Sequence, residues 1–338
     1  MRTLRFLLVR AVSLVPVLIG ITLATFLLTR VVPGDPARVL VGEGASAEAV
    51  TAMREQLGLN RPLPVQYATY MRNLLQGDLG TSIRTTRPIA TELSTRFAAT
   101  AELAIAALLL TILVGVPLGI VAALNRGRVI DEISRVVALV GVSVPIFWLG
   151  LLLIILFYMN LGAVPAPTGR ASDATLNLVG PTGLLVLDTL MKGEWRATLD
   201  ALWHLLLPAI TLASWSTAIV MRITRASVLD VLHQDYVRTA RAKGTAEGIV
   251  VRKHVLRNAL LPMITILGLE FGNMLGGAVL TETVFNWPGM GLYAVNGIYS
   301  LDFAAVQGFT LVTALIFVTI NALVDAAYAL IDPRVQYS

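Results

Sequence analysis

The sequence predicts an all-α polytopic membrane protein with six transmembrane helices. Three observations carry that prediction. Apolar residues make up 56% of the 338-residue chain and charged residues only 14%, with a mean hydropathy of +0.76, whereas soluble domains carry roughly 25% charged residues. Six apolar stretches of about 19–28 residues are each long enough to cross a hydrocarbon core of roughly 30 Å. Lys and Arg cluster in alternate loops. This balance excludes a disordered chain, a coiled coil and most soluble enzymes. With no Cys there is no disulfide framework, thiolate metal site or thiol nucleophile. His204, His233 and His254 are too scattered to suggest a metal site. The net charge of +5 is modest and reports orientation rather than nucleic-acid binding.

The predicted spans are 9–29, 98–124, 136–161, 202–220, 260–280 and 304–331. The first has about twice the apolar length of a signal peptide, and Arg30-Val31-Val32-Pro33 follows where a small-residue cleavage site would stand, so it reads as a retained helix. Arg2, Arg5 and Arg10 precede it, Arg126, Arg128 and Arg135 follow the second span, and a long basic run joins the fourth to the fifth. Residues 285–303 have no Lys or Arg. The positive-inside rule therefore places both termini in the cytoplasm.

The first outer loop, 31–97, is too long to be structureless. Ser46 is expected to cap a helix over 47–57 that Gly58 ends. Pro64 opens a second helix whose Tyr67, Tyr70, Met71, Leu74 and Leu75 share a face, with Gly77 at its end. The second outer loop, 162–201, is rich in Pro and Gly; its apolar run 184–190 is too short to span and either lies in the interface or caps the outer mouth.

The longest inner segment, 227–260, contains Tyr236-Val-Arg-Thr-Ala-Arg-Ala-Lys-Gly244. Residues 236–243 predict a helix with Asp235 as cap and Gly244 as terminator. Its small residues Thr239, Ala240 and Ala242 allow another backbone to approach. On the residues alone this is either a solvated basic face on lipid headgroups or a docking helix.

That stretch, followed by Arg257-Asn-Ala-Leu-Leu-Pro262, resembles the coupling-loop signature of ABC-importer permeases, in particular the dipeptide/oligopeptide/nickel group. Val32-Pro-Gly-Asp-Pro36, Leu57-Gly-Leu-Asn-Arg-Pro-Leu-Pro-Val-Gln66, Gly77-Asp-Leu-Gly-Thr-Ser82, Glu282-Thr-Val-Phe-Asn-Trp-Pro-Gly289 and Asp332-Pro-Arg334 extend the resemblance along nearly the whole chain and point to the B-type member of the permease pair. The family's general Glu-Ala-Ala ahead of the glycine reads Thr239-Ala240-Arg241 here, which removes an acidic contact.

The resemblance implies the type I ABC-importer permease fold. The expected parts are an N-terminal end with helix 1 (1–30), a helical extracytoplasmic subdomain (31–97), a transmembrane core (98–331) and a cytoplasmic tail (332–338). It implies that Tyr236, Val237, Thr239, Ala240, Arg241, Ala242, Lys243 and Gly244 form a knob in a groove of an ATPase subunit, with Leu261-Pro262 setting where span five begins. Implied partners are a homologous second permease, two ATPases and an extracytoplasmic substrate-binding protein, in a bacterial inner membrane. Short peptides are the implied cargo; nickel chelates, glutathione and other small solutes are alternatives. The chain has no Gly-Lys pair and hence no P-loop, so ATP and Mg²⁺ belong to the partners.

Polar groups inside spans are functional candidates, because burying them in lipid is costly. Glu270 lies about 12 Å into span five and can share a helix face with Asn273 and Gly277. It either faces a pathway and binds a substrate ammonium or is a buried carboxyl bonded to a neighbouring helix. Ser143 and Trp148 flank Pro145, which is expected to kink span three; both are pathway candidates, with packing the alternative for Trp148. Asn321 and Asp325 are expected to make helix–helix bonds. Arg222 and Arg225 are expected to snorkel to the inner surface, and Trp287 to stand at the outer interface. A rival from another class is an ion-coupled secondary transporter, against which the inner segment argues; another is a membrane scaffold or sensor.

Overall fold

A computed structural model describes residues 16–27, 35–42 and 44–331. The Arg2, Arg5 and Arg10 cluster, most of the 32–36 motif, the Asp325 side chain and the 332–338 tail lie outside the described residues. Among the described residues there are helices and turns, with one isolated bridge between Thr81 and Pro88. The chain divides into two compact units, residues 1–100 with 288–318, and residues 101–287 with 319–338.

In the first unit, α1 (Pro16–Leu27) is the described part of the first apolar stretch. A short α2 (Pro36–Val41) starts at Asp35, whose side chain accepts the Ala37 N–H at 3.1 Å. Ser46 caps α3 (Ala47–Gln56) as expected, and α4 spans Leu63–Leu75 with Pro64 in its first turn. Both helices stop on a glycine in the left-handed region, Gly58 (φ 66°) and Gly77 (φ 81°), where a Cβ would be strained. The expected face of α4 is made by its tyrosines. Tyr67 and Tyr70 pack on Phe26 of α1 at ring-centroid distances of 5.4 and 6.0 Å, and the Tyr67 and Thr22 hydroxyls are 3.0 Å apart. Leu75 does not share that face: it is 83% exposed, one residue past Leu74 on the helix wheel. The start of α5 (Ile89–Leu124), α15 (Met290–Tyr299) and α16 (Phe303–Ile331) contribute Ile89, Leu93, Met290, Tyr293 and Ala305 to a separate core.

The second unit is built round α10 (Trp195–Leu232). Its 38 residues would extend about 57 Å at 1.5 Å per residue, far beyond a bilayer core, so the predicted 202–220 span is only its middle. Glycines let other helices close on it. A Cβ on Gly119 of α5 would stand 2.6 Å from the Met221 carbonyl oxygen and 2.7 Å from Thr224 Cβ, and one on Gly141 would stand 3.0 Å from Ala218 Cβ.

Span three is α6 (Val129–Ser143) and α7 (Ile146–Leu153), the latter running on as a wide π-type turn over Ile154–Asn160. The two arms meet at 102°, a sharper break than a kink. Val144 is extended (ψ 124°) because the ring of Pro145 crowds the helical conformation of the residue before it.

Among the described residues four helices are each long and apolar enough to span, five if the bent pair counts as one span, and α1 is a shorter apolar helix. The 162–201 segment forms α8 (Asp173–Leu176) and α9 (Leu185–Met191). The 184–190 run is partly inside the protein: Leu185, Asp188 and Thr189 are buried, while Leu187 and Leu190 are exposed.

Candidate coupling helix and its anchorage

After α10 the chain turns at His233 into α11 (Asp235–Ala242), then into α12 (Glu247–Ile249), a π-type turn over Val250–Leu256 and α13 (Arg257–Gly277). The expected α11 helix is present, but its N-cap is Gln234, which makes no side-chain cap bond. Asp235 is one position further in and pairs with Arg238 one turn on, where its charge still favours the positive helix end. The stop is as expected: the Gly244 N–H donates to the Arg241 carbonyl at 2.9 Å and the Thr245 N–H to that of Ala240 at 3.3 Å, with Gly244 at φ 76°.

Spacing divides α11 into two faces. Val237 and Ala240, three apart, are buried against Ala123 of α5, Val228 of α10, Val250 and Val255 of the π-type turn, and Ala259 and Met263 of α13. Tyr236, Arg238, Thr239, Arg241, Ala242 and Lys243 remain exposed, Tyr236 at 43%. Arg241 donates twice to Glu247, Nε at 3.0 Å and Nη2 at 2.6 Å, closing the turn that Gly244 starts. The predicted docking residues are therefore not equivalent: Val237 and Ala240 fix the helix to its own chain, and the others form a polar surface.

Span five does not open at Pro262. The helix is already running at Glu247, and Pro262 lies inside α13. The helix start is hidden in the sequence because Val250 and Val255 are apolar anchors, fully buried within an otherwise basic run.

Arg225 does not snorkel. Its Nε and Nη2 donate to the two Asp131 oxygens at 2.6 and 2.8 Å, and Asp131 also accepts the Gly127 N–H at 3.0 Å. This fork joins α10, two residues before the 227–260 segment, to the start of α6. Nearby, Arg126 and His233 ring and guanidinium nitrogens are 3.3 Å apart. Asp131 was not singled out from the sequence; its signal is an acidic residue inside the basic 126–135 loop.

A second missed carboxylate holds the 162–201 segment. Glu102 of α5 accepts from Arg170 at 2.5 and 3.1 Å and from the Val186 N–H at 2.7 Å, while Arg170 also donates to the Gly183 carbonyl at 2.8 Å. Glu102 stands in an apolar run as Glu270 does, and the same reasoning applied to both would have found it.

The pathway candidates separate. Glu270 is 4% exposed and accepts the Ser216 hydroxyl of α10 at 2.5 Å, whereas Asn273 and Gly277 are exposed. The expected common face is thus split, because the helix turns Glu270 onto α10. Ser143 is exposed and bonds back to the Leu139 carbonyl at 2.8 Å; Trp148 is 48% exposed. The Asn321 side-chain oxygen is buried without a partner among the described residues. Trp287 is 1% exposed, so it is a core residue rather than an interfacial one.

Among the described residues, apolar helices long enough to cross a membrane are joined to a short two-faced helix on the 227–260 segment, an arrangement compatible with a membrane permease. The chain belongs to the family of binding-protein-dependent transport system inner membrane components, whose model matches residues 115–337, and the family's N-terminal model matches residues 3–104. It is similar to the dipeptide transport system permease protein DppB of Alkalihalophilus pseudofirmus, 47% identical over 97% of this chain and 98% of the relative. It is also similar to the probable D,D-dipeptide transport system permease protein DdpB of Escherichia coli, 48% identical over 96% of both chains. The glutathione transport system permease protein GsiC of Salmonella choleraesuis is 38% identical over 99% of both.

Proposed function

We propose that this chain is one of two homologous permeases in an ATP-driven importer of di- and oligopeptides. Peptide would be delivered by an extracytoplasmic binding protein and pass between the permeases. Two ATPase subunits would hold ATP and Mg²⁺, and both termini would be cytoplasmic. The observation that carries the mechanism is α11, with Val237 and Ala240 buried in its own chain and its polar face exposed. Such a helix moves with its anchors. A displacement imposed on the Tyr236–Lys243 surface when the ATPases close passes rigidly to α5, α10 and α13. The Asp131–Arg225 fork holds the adjoining end of α10, and the buried Val237 and Ala240 prevent the knob from rolling.

Peptide cargo is supported by the printed names of the dipeptide relatives, and the glutathione relative keeps a second small-peptide cargo in view. Residues 31–97 would form the outer subdomain and 98–331 the core. Ser143, Trp148 and Asn273 remain candidates to line the pathway. Glu270 is better suited to holding α13 on α10, since Ser216 already occupies its carboxylate.

The test is ATP-dependent uptake of labelled di- and tripeptides by the complex reconstituted with its neighbouring permease, ATPases and binding protein. Accumulation that requires both ATP and the binding protein supports the reading. Uptake driven by a Na⁺ or H⁺ gradient alone would overturn it. Stimulated ATPase with no peptide uptake would retain the importer and overturn the cargo.

A further inference from the structure

In the first unit, α15, the start of α5 and the 81–86 turn line a partly open cavity of about 230 Å³, of mixed polar and apolar lining, that the coupling mechanism does not use. This volume is many times the roughly 30 Å³ share of one water, yet below the roughly 300–1,000 Å³ of pockets for drug-sized ligands.

Its charges are of both signs. Asp302 is 1% exposed. It accepts from the Ser82 hydroxyl and from the Ala305 N–H, and no cationic side chain pairs with it among the described residues. A buried carboxylate without a cation is costly. Arg84 and Arg96 line the same cavity; Arg96 lies 4.6 Å over the Tyr293 ring and pairs with Glu92 one turn before it. Hydroxyls are left over as well. Thr85 Oγ1 is buried without a hydrogen-bond partner among the described residues, and the Tyr293 hydroxyl lies beside Ser82 but outside bonding geometry with it. Ser82 gives its own proton to Asp302. Buried polar atoms left over round a cavity mark a place for polar atoms from outside.

We propose that this cavity is a binding site for a small zwitterion of amino-acid to dipeptide size, its ammonium at Asp302 and its carboxylate at Arg84 and Arg96. The Thr85 and Tyr293 hydroxyls supply the remaining hydrogen bonds. The choice of a peptide-like ligand rests on the import reading above. On that reading the site is on the outer side, where the sequence places 31–97 and 285–303, and it would hold cargo apart from the pathway between the permeases.

The test uses the assembled transporter in lipid nanodiscs, without binding protein or nucleotide, and measures equilibrium binding of radiolabelled L-alanyl-L-alanine. Saturable binding is expected, weakened at least tenfold when the amine is acetylated or the carboxylate amidated. Arg84→Gln, at an exposed side chain, and Ser300→Trp, which fills the cavity, should each weaken it at least tenfold. Displacement by free alanine at equal affinity would show that one residue's two charges suffice; preference for the dipeptide would show that the poles are spanned. No saturable binding, indifference to blocking, or full binding by both variants would overturn the proposal. Uptake of dipeptide measured in parallel separates the two readings. Uptake without cavity binding sinks this site alone, and cavity binding without uptake sinks the peptide-cargo reading alone.

Discussion

Gly244 is held at φ 76° with nothing within 4 Å of where a Cβ would stand. A substitution there meets backbone strain and not a clash, at a cost of about 1–2 kcal/mol. Gly244→Val is therefore expected to leave the protein in the membrane but loosen the end of α11, so that binding-protein-stimulated ATPase continues while uptake falls severalfold. Comparing both rates in one preparation checks this, and full uptake would exclude a coupling role for the Gly244 turn. Asp131→Asn removes one charge of the Arg225 fork. The cost should fall below the roughly 3–5 kcal/mol of breaking a fully buried pair, because Arg225 retains some exposure. We expect the same uncoupled phenotype, with partial recovery in Asp131→Glu. At Glu270 the Ser216 contact predicts that Glu270→Gln transports normally, since an amide oxygen still accepts that bond. A lost peptide affinity in this variant would restore the ammonium-binding role.

At the scale of elements, α5 and α10 are joined by absence of a side chain. With a Cβ at Gly119 only 2.6 Å from the Met221 carbonyl oxygen, even Gly119→Ala must push the backbones apart, and a clear fall in the detergent-solubilised complex's thermal midpoint is expected. The 180–191 segment has its own acid sensitivity. Burial pushes the Asp188 carboxyl up, but hydrogen bonds from the Thr182 hydroxyl and the N–H groups of Gly180 and Thr182 outweigh it and hold it below its usual range. Its contribution is thus present above the unfolded carboxylate pKa of about 3.9 and is lost as pH falls through the lower folded value. Hydrogen exchange in 180–191 should rise there, and Asp188→Asn should raise it already at neutral pH.

The elements also show what a sequence can disclose. Hydropathy found the membrane segments, and the glycine stops at 58, 77 and 244 were legible because only a left-handed turn asks for glycine there. The break at Pro145 was legible as a kink but not as a 102° turn, since Val144 decides the angle by leaving the helical region. The helix before Pro262 was hidden because two buried valines in a basic run do not raise a hydropathy average. The Asp131–Arg225 and Glu102–Arg170 pairs join residues 94 and 68 positions apart, a proximity that only the folded chain creates.

For the whole molecule the central claim is that α11 offers its exposed face to an ATPase in the cytoplasm. The absence of Cys from the chain makes this directly measurable. A single Cys introduced as Thr239→Cys, on the exposed face, and paired with one Cys placed in the groove of the ATPase subunit, should form a disulfide under an added oxidant or a short bismaleimide cross-link, and it should resist a membrane-impermeant thiol reagent applied from outside. Leu75→Cys, on the predicted outer loop, should behave in the opposite way. A Thr239→Cys variant labelled from outside, or one that never cross-links to the ATPase in an active complex, would contradict the assignment of α11 as the coupling helix.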